Sequence, residues 1–122
     1  MKFFVYQPDP PAPDAPPPTP EMFVAMDTLI QESARAGVLI ATGVFMGQPT
    51  RINLSAGHYT VTDGPFVEAK ELMGGYALID VQSLDEAIEW VKRSQAIVGY
   101  GTNELCPVMS PEDLAALGGE AQ

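Results

Sequence analysis

An α+β domain built on an antiparallel sheet is what this sequence predicts, and three observations predict it. The segments run in the order strand, helix, strand, hairpin, strand, helix, strand. Two of the strands, residues 2–6 and 76–81, are apolar on both faces (Asp80 apart), the pattern of strands in the middle of a covered sheet. Pro107 has no backbone N–H to give to a ladder, which puts the last strand at a sheet edge. A strand–helix–strand unit repeated once is the split βαβ, or ferredoxin-like, plan, here with an extra β-hairpin. In that plan the first and third main strands are expected to lie centrally and parallel, with both helices on one sheet face.

Each element has its own signal. Phe3 and Val5 point one way from the first strand, Phe4 and Tyr6 the other. Residues 7–20 carry prolines at 8, 10, 11, 13, 16, 17, 18 and 20. Proline fixes φ and lacks a donor, so this segment reads as an extended, polyproline-like surface connector. A docking segment for an aromatic groove is the other reading of Pro13…Pro16. Thr19-Pro20-Glu21 starts a helix over about residues 20–36. Met22, Phe23, Met26, Leu29, Ile30 and Ser33-Ala34 form its core stripe, and Gly37 stops it. Val38 to Phe45 reads as a strand, and Met46-Gly47-Gln48-Pro49 as a turn.

Arg51–Leu54 and His58–Thr62 read as a hairpin around Ser55-Ala56-Gly57. His58, Thr60 and Thr62 share one face of the second arm, and Tyr59 and Val61 the other, the alternation of a half-exposed strand. After the strand from Gly75 to Val81, Ser83 and Glu86 form a capping box. The helix that follows buries Leu84, Ala87, Ile88, Trp90 and Val91 and ends before Gly99. Asn103–Met109 is the edge strand. Ser110-Pro111-Glu112-Asp113 opens a short terminal helix within the tail 110–122, fraying from Gly118.

The chain of 122 residues reads as a single domain, 1–122, long enough to bury a core without disulfides or metals. No apolar run approaches the roughly 20 residues that span a bilayer. Met1–Tyr6 reads as a strand and not as a signal peptide, because proline and aspartate follow at once. One cysteine, Cys106, cannot make an internal disulfide, and cytoplasmic residence is the simplest expectation. A buried edge-strand thiol is the default for it. Six basic residues against sixteen acidic ones give a net charge of -10. Such a field repels a phosphate backbone and an anionic membrane surface, and Lys92-Arg93 is the one adjacent basic pair. Neither nucleic acid nor membrane is expected as a partner.

The stretch Thr62–Val81 holds the densest pattern: a tight turn, Asp63-Gly64-Pro65-Phe66, a charged loop, Glu68-Ala69-Lys70-Glu71, and the pair Gly74-Gly75 before Tyr76. Together with Asp85-Glu86-Ala87 these residues resemble the signature of the YCII-related proteins of the DGPF type. The resemblance implies a ferredoxin-like domain in a dimeric α/β-barrel-like association. It also implies a small bacterial protein without an established substrate, some relatives being associated with extracytoplasmic-function sigma factors. The residues point to a dimer independently. Two helices cover one sheet face and nothing in the chain is left for the other, where several exposed aromatics would cost about 25 cal/mol per Å².

Three carboxylates (Asp63, Glu68, Glu71) and Lys70 lie close in sequence. They suit an acid/base pair, a hard-cation site or a capped surface turn. No HExxH, paired Cys/His or EF-hand spacing occurs, so no metal or cofactor is assigned. His58 is the one histidine, and the histidine–aspartate pair of some YCII-related proteins outside the DGPF type is not matched by His58 and Asp63. These two remain the only catalytic candidates, and a solvent-facing hairpin position is the plainer reading of His58.

Two functions are open. One is a homodimer binding an unidentified small molecule, with Tyr6, Asp63, Phe66, Glu68, Lys70 and Tyr76 as the ligand-binding candidates. Cofactor-independent isomerisation, lactone opening or dehydration would be its chemistry. The other is a non-catalytic module whose acidic surface and proline loop contact a protein. An apolar cavity with Asp63 or Glu68 pointing in favours the first, and a filled core with capped acids the second.

Overall fold

β1 (Lys2–Tyr6) lies inside a four-stranded sheet and carries the largest fully buried side chain, Phe3. The computed structural model describes residues 1–8, 14–45, 49–63 and 74–120. After β1 come α1 (Pro20–Arg35), β2 (Leu39–Val44), β3 (Thr50–Ser55), β4 (His58–Asp63), β5 (Gly75–Asp80), α2 (Leu84–Val98), β6 (Glu104–Val108) and α3 (Pro111–Glu120). The sheet order is β2-β5-β1-β6, with β3 and β4 as a separate pair. This is the ferredoxin-like α+β order, and Pro107 does sit on an edge strand. The central strands β1 and β5 are antiparallel, with Phe3 opposite Ile79 and Tyr6 opposite Tyr76, not parallel as expected. β5 pairs antiparallel with both β1 and β2 and lies between them, so the parallel relation falls to β1 and β2, the strands α1 joins.

Register decides which side chains meet the helices. Phe3, Val5, Ile79 and Val81 form one core with Val38 and with Ala87 and Val91 of α2, and Leu105, Ala77 and Trp90 pack against it. α1 contributes Leu29 and Ser33 as its buried positions. Phe23, expected in the core stripe, is 66% exposed. It stands six residues before Leu29, about 120° around a helix that turns about 100° per residue. Leu84 is also exposed, because the first position of α2 has neighbours on one side only.

The helix ends follow their local chemistry. Thr19 Oγ1 accepts from Met22 N–H (3.2 Å), while the Met22 thioether accepts from Thr19 N–H, a soft version of the box that Glu or Gln usually completes. Ser83 Oγ accepts from Glu86 N–H (3.2 Å), but the Glu86 carboxylate reaches one residue further back and takes Gln82 N–H (2.8 Å). Gly99 ends α2 in the left-handed region, φ 90°, and its N–H donates to the Gln95 carbonyl. α3 starts on a reciprocal cap, Ser110 with Asp113, and spans Pro111–Glu120.

The β3–β4 hairpin departs most from expectation. Its two-residue turn has positive φ at both Ala56 (51°) and Gly57 (80°), the pattern of a type I′ turn. Its strands pair with each other alone, and every residue of both is exposed, not half-exposed.

Candidate functional site

The sheet has two faces with different fates. α1 and α2 stand over the Phe3–Val5–Ile79 side, and a cleft of about 520 Å³ opens between them and the sheet. Met26 and Ile30 of α1, Trp90 and Val98 of α2, and Val5 and Ala77 of the sheet line it. Gly75 and Tyr76 border it where β5 begins, just after the Asp63–Glu71 segment in sequence. Its polar groups are amides and hydroxyls, among them Gln7, Ser33, Thr42, Ser94, Gln95, Tyr100 and Asn103. Five of these are already paired: Gln95 Nε2 donates to Asn103 Oδ1 (3.2 Å), and the hydroxyls of Ser33, Thr42 and Ser94 donate to the carbonyls of Ile30 (2.9 Å), Tyr76 (2.9 Å) and Val91 (2.7 Å). Among the described residues no charged side chain lines the cleft. That is unusual in a chain with 22 Lys, Arg, Asp and Glu, six basic and sixteen acidic.

The opposite face is partly exposed, and among the described residues no helix but α3 reaches it. Alternation along the strands places Phe4, Tyr6, Tyr76 and Leu78 on it, with Glu104 and Cys106 of β6 beside them. Phe4 stacks on Tyr6 (5.7 Å) and on Tyr76 (6.1 Å), and Phe45 tilts against Tyr76 (5.2 Å). The platform rests on a close approach at Gly43, where a Cβ would stand 2.6 Å from the Tyr76 hydroxyl. Cys106, expected to be buried, is exposed because its side of β6 faces the uncovered surface. One end of this face is not bare, as sequence reasoning had it. α3 reaches Lys2 through Asp113 (3.5 Å), with a smaller cleft of about 360 Å³ between α3 and the Lys2–Val108 pair.

Tyr6 Oη donates to Glu104 Oε2 at 2.6 Å. That bond, then partial desolvation and the negative charges of Glu104 and Cys106, push the Tyr6 phenol above its ordinary value. The neutral, donating form is therefore the one held. Glu104 was missed from sequence, although the alternation of Glu104, Leu105 and Cys106 puts it on the same side of the edge strand as Cys106.

The sequence-derived site residues are only partly brought together. Tyr6 and Tyr76 are register partners, joined through Phe4. Asp63 ends β4 and accepts from Thr50 Oγ1 (2.8 Å), closing the hairpin base, and it does not line the cleft. His58 opens the same strand, about 17 Å from Asp63 by strand rise, so the two are not a pair. Phe66, Glu68 and Lys70 lie outside the described residues, as does Glu71. Among the described residues no group of three His, Cys, Asp or Glu is placed to hold a metal ion. No helix among them is long and apolar enough to cross a membrane.

The family model of the YCII-related domain matches residues 1–110. The chain belongs to the YCII-related family. A curated relative, uncharacterized protein R00369 of Rhizobium meliloti (strain 1021), is 46% identical over 55 residues, a match spanning 44% of each chain. A solved structure, the 5-chloro-2-hydroxyhydroquinone dehydrochlorinase of Burkholderia phenoliruptrix AC1100 in complex with 2,5-dihydroxybenzoquinone, is similar at a TM-score of 0.46. It is 16% identical, and the match covers 92% of this chain and 97% of that one. At that level the likeness carries no chemistry across. This YCII-related chain is therefore read from its own residues.

Proposed function

We propose that this YCII-related protein binds a neutral, largely apolar small molecule in the cleft between its helices and sheet, beside the DGPF segment, and does so as a homodimer. The uncharged wall of that cleft carries the reading. A cavity of about 520 Å³ is within the range of ligand pockets. An ionised ligand would enter it without a counter-charge, which is costly. A neutral ligand with one or two hydrogen-bonding atoms matches the amides of Gln7, Gln95 and Asn103.

The described wall supplies no carboxylate or amine for proton transfer. Cofactor-independent isomerisation, lactone opening or dehydration therefore depends on groups beyond the described wall, for which the sequence offers Glu68 and Lys70. The same bare wall favours a second reading, a non-catalytic ligand-responsive module of the kind linked to sigma-factor signalling. The aromatic face supports the homodimer, since it is apolar, partly exposed and, among the described residues, met only at its end by α3.

Trp90 is the one tryptophan and lines the cleft, so its fluorescence reports occupancy. A panel of uncharged lactones, ketones and aromatic alcohols is expected to change Trp90 emission and raise the melting temperature. Ala77→Leu, which intrudes on the cleft from the sheet, is expected to weaken both responses while the protein stays folded. No response in the wild type across such a panel sinks the reading. Mass spectrometry of the bound compound after incubation separates the two versions: conversion supports catalysis, and unchanged ligand supports the module.

A further inference from the structure

The β3–β4 hairpin has one apolar face and one polar face. Ile52 pairs with Val61 and Leu54 with Tyr59, so these four share a side. All four are between 58% and 73% exposed. Arg51, Asn53, Ser55, His58, Thr60 and Thr62 take the other side. An isolated two-stranded hairpin is marginal in water, and covering one face is what makes such a unit hold its shape. The hairpin is also the electrostatic exception. The hairpin, Thr50–Asp63, carries Arg51 and Asp63 and so no net charge, in a chain whose net charge is -10. An arm without net charge meets an acidic body without the repulsion between two acidic surfaces.

The second apolar surface is the open sheet face, where Phe4, Tyr6 and Tyr76, each partly exposed, stack with Glu104 at the rim. We propose that the β3–β4 hairpin is an arm that docks its Ile52–Leu54–Tyr59–Val61 face on the open sheet face of a second copy of this chain. The inference rests on the homodimer proposed above and names the element that makes it.

The sizes fit. Four such side chains, each more than half exposed, present roughly 500 Å² per protomer and roughly 1,000 Å² over a pair, where specific interfaces begin. A twofold axis lets each arm cover the other copy's platform, so the contact closes on itself and does not propagate. The arm then brings Tyr59 over the partner's aromatic cluster. It also covers the exposed Cys106 of that face.

Cys106 makes the test direct, because it is the one cysteine and it lies on the proposed docking surface. Sedimentation of the full chain is expected to show a dimer at micromolar concentration. Ile52→Asp with Val61→Asp is expected to raise its dissociation constant at least 100-fold, with the far-ultraviolet dichroism of the main sheet and helices kept. Tyr59→Cys, under mild oxidation, is expected to give a covalent dimer through the partner's Cys106, and Thr60→Cys on the polar face is not. The two readouts are independent, so a hairpin lost in the double variant leaves the crosslink to decide. A dimer untouched by the double variant, together with no Tyr59→Cys crosslink, overturns the arm and leaves the twofold association standing on another surface. A disulfide formed within one chain overturns it by placing the arm on its own sheet. A monomeric wild type overturns both the arm and the dimer.

Discussion

Gly43 and Tyr76 show how one side chain governs a surface. The Tyr76 ring crosses Gly43 so closely that a methyl group there would meet its hydroxyl at 2.6 Å and its ring carbons at 2.8 and 2.9 Å. The ring is rigid, stacked on Phe4 and wedged against the tilted Phe45, so it cannot step aside cheaply. Gly43→Ala is expected to cost about 1–3 kcal/mol in denaturant unfolding by overpacking, and to shift the Phe4 and Phe45 ring resonances. Gly74 makes an instructive contrast, because the atom its Cβ would meet is the end of the flexible Gln7 side chain. Tyr6 offers a second residue-scale test. Its bond to Glu104 raises the phenol's pKa in the folded state. A raised value contributes stability that is present below the ordinary tyrosine range and is lost as pH rises through the folded value. Glu104→Gln is expected to bring the Tyr6 transition back toward the ordinary range in an ultraviolet pH titration. An unchanged transition would show that the bond does not set it.

At the scale of elements, the caps are the separable contributions. Ser83→Ala leaves Glu86 N–H without its acceptor and is expected to cost about 1 kcal/mol in denaturant unfolding. Gly99→Ala puts a Cβ on a residue at φ 90° and is expected to cost about the same, although nothing stands within 4 Å of that Cβ. α3 is tied down by acid-sensitive bonds. The Ser110 backbone and hydroxyl, then Lys2, hold the Asp113 carboxyl below the usual aspartate range. A depressed value contributes stability present above the ordinary range and lost as pH falls through the folded value. α3 is therefore expected to loosen in acid before the main sheet does, and Asp113→Asn to loosen it already at neutral pH. Amide hydrogen exchange of residues 114–118 against that of β1 measures both.

For the molecule as a whole, Phe3 is the point where sheet and helices meet. Phe3→Ala is expected to cost about 3–5 kcal/mol, enough to unfold a domain of ordinary stability. The order of elements, the central strands, the edge position of Pro107 and both long helices were legible in sequence. Each rests on a local signal: two-sided apolar strands, a missing N–H, a capping residue. The family was legible too, through Asp63-Gly64-Pro65-Phe66 and Gly74-Gly75-Tyr76. The site was legible in part. Tyr6 and Tyr76 were named together and are register partners, but Trp90, Gln95 and Glu104 were not named with them.

Sequence alone determined periodicity, caps and turns, because those depend on neighbours within a few residues. Tertiary structure decided the rest: that β1 and β5 run antiparallel, that Phe4 and Tyr6 face outward while Phe3 and Val5 face the helices, and that Cys106 is exposed. It also decided that a cleft opens between helices and sheet and that, among the described residues, the hairpin strands pair only with each other. All of these depend on which distant surfaces meet, and a chain's alternation specifies two faces without saying which one will be covered.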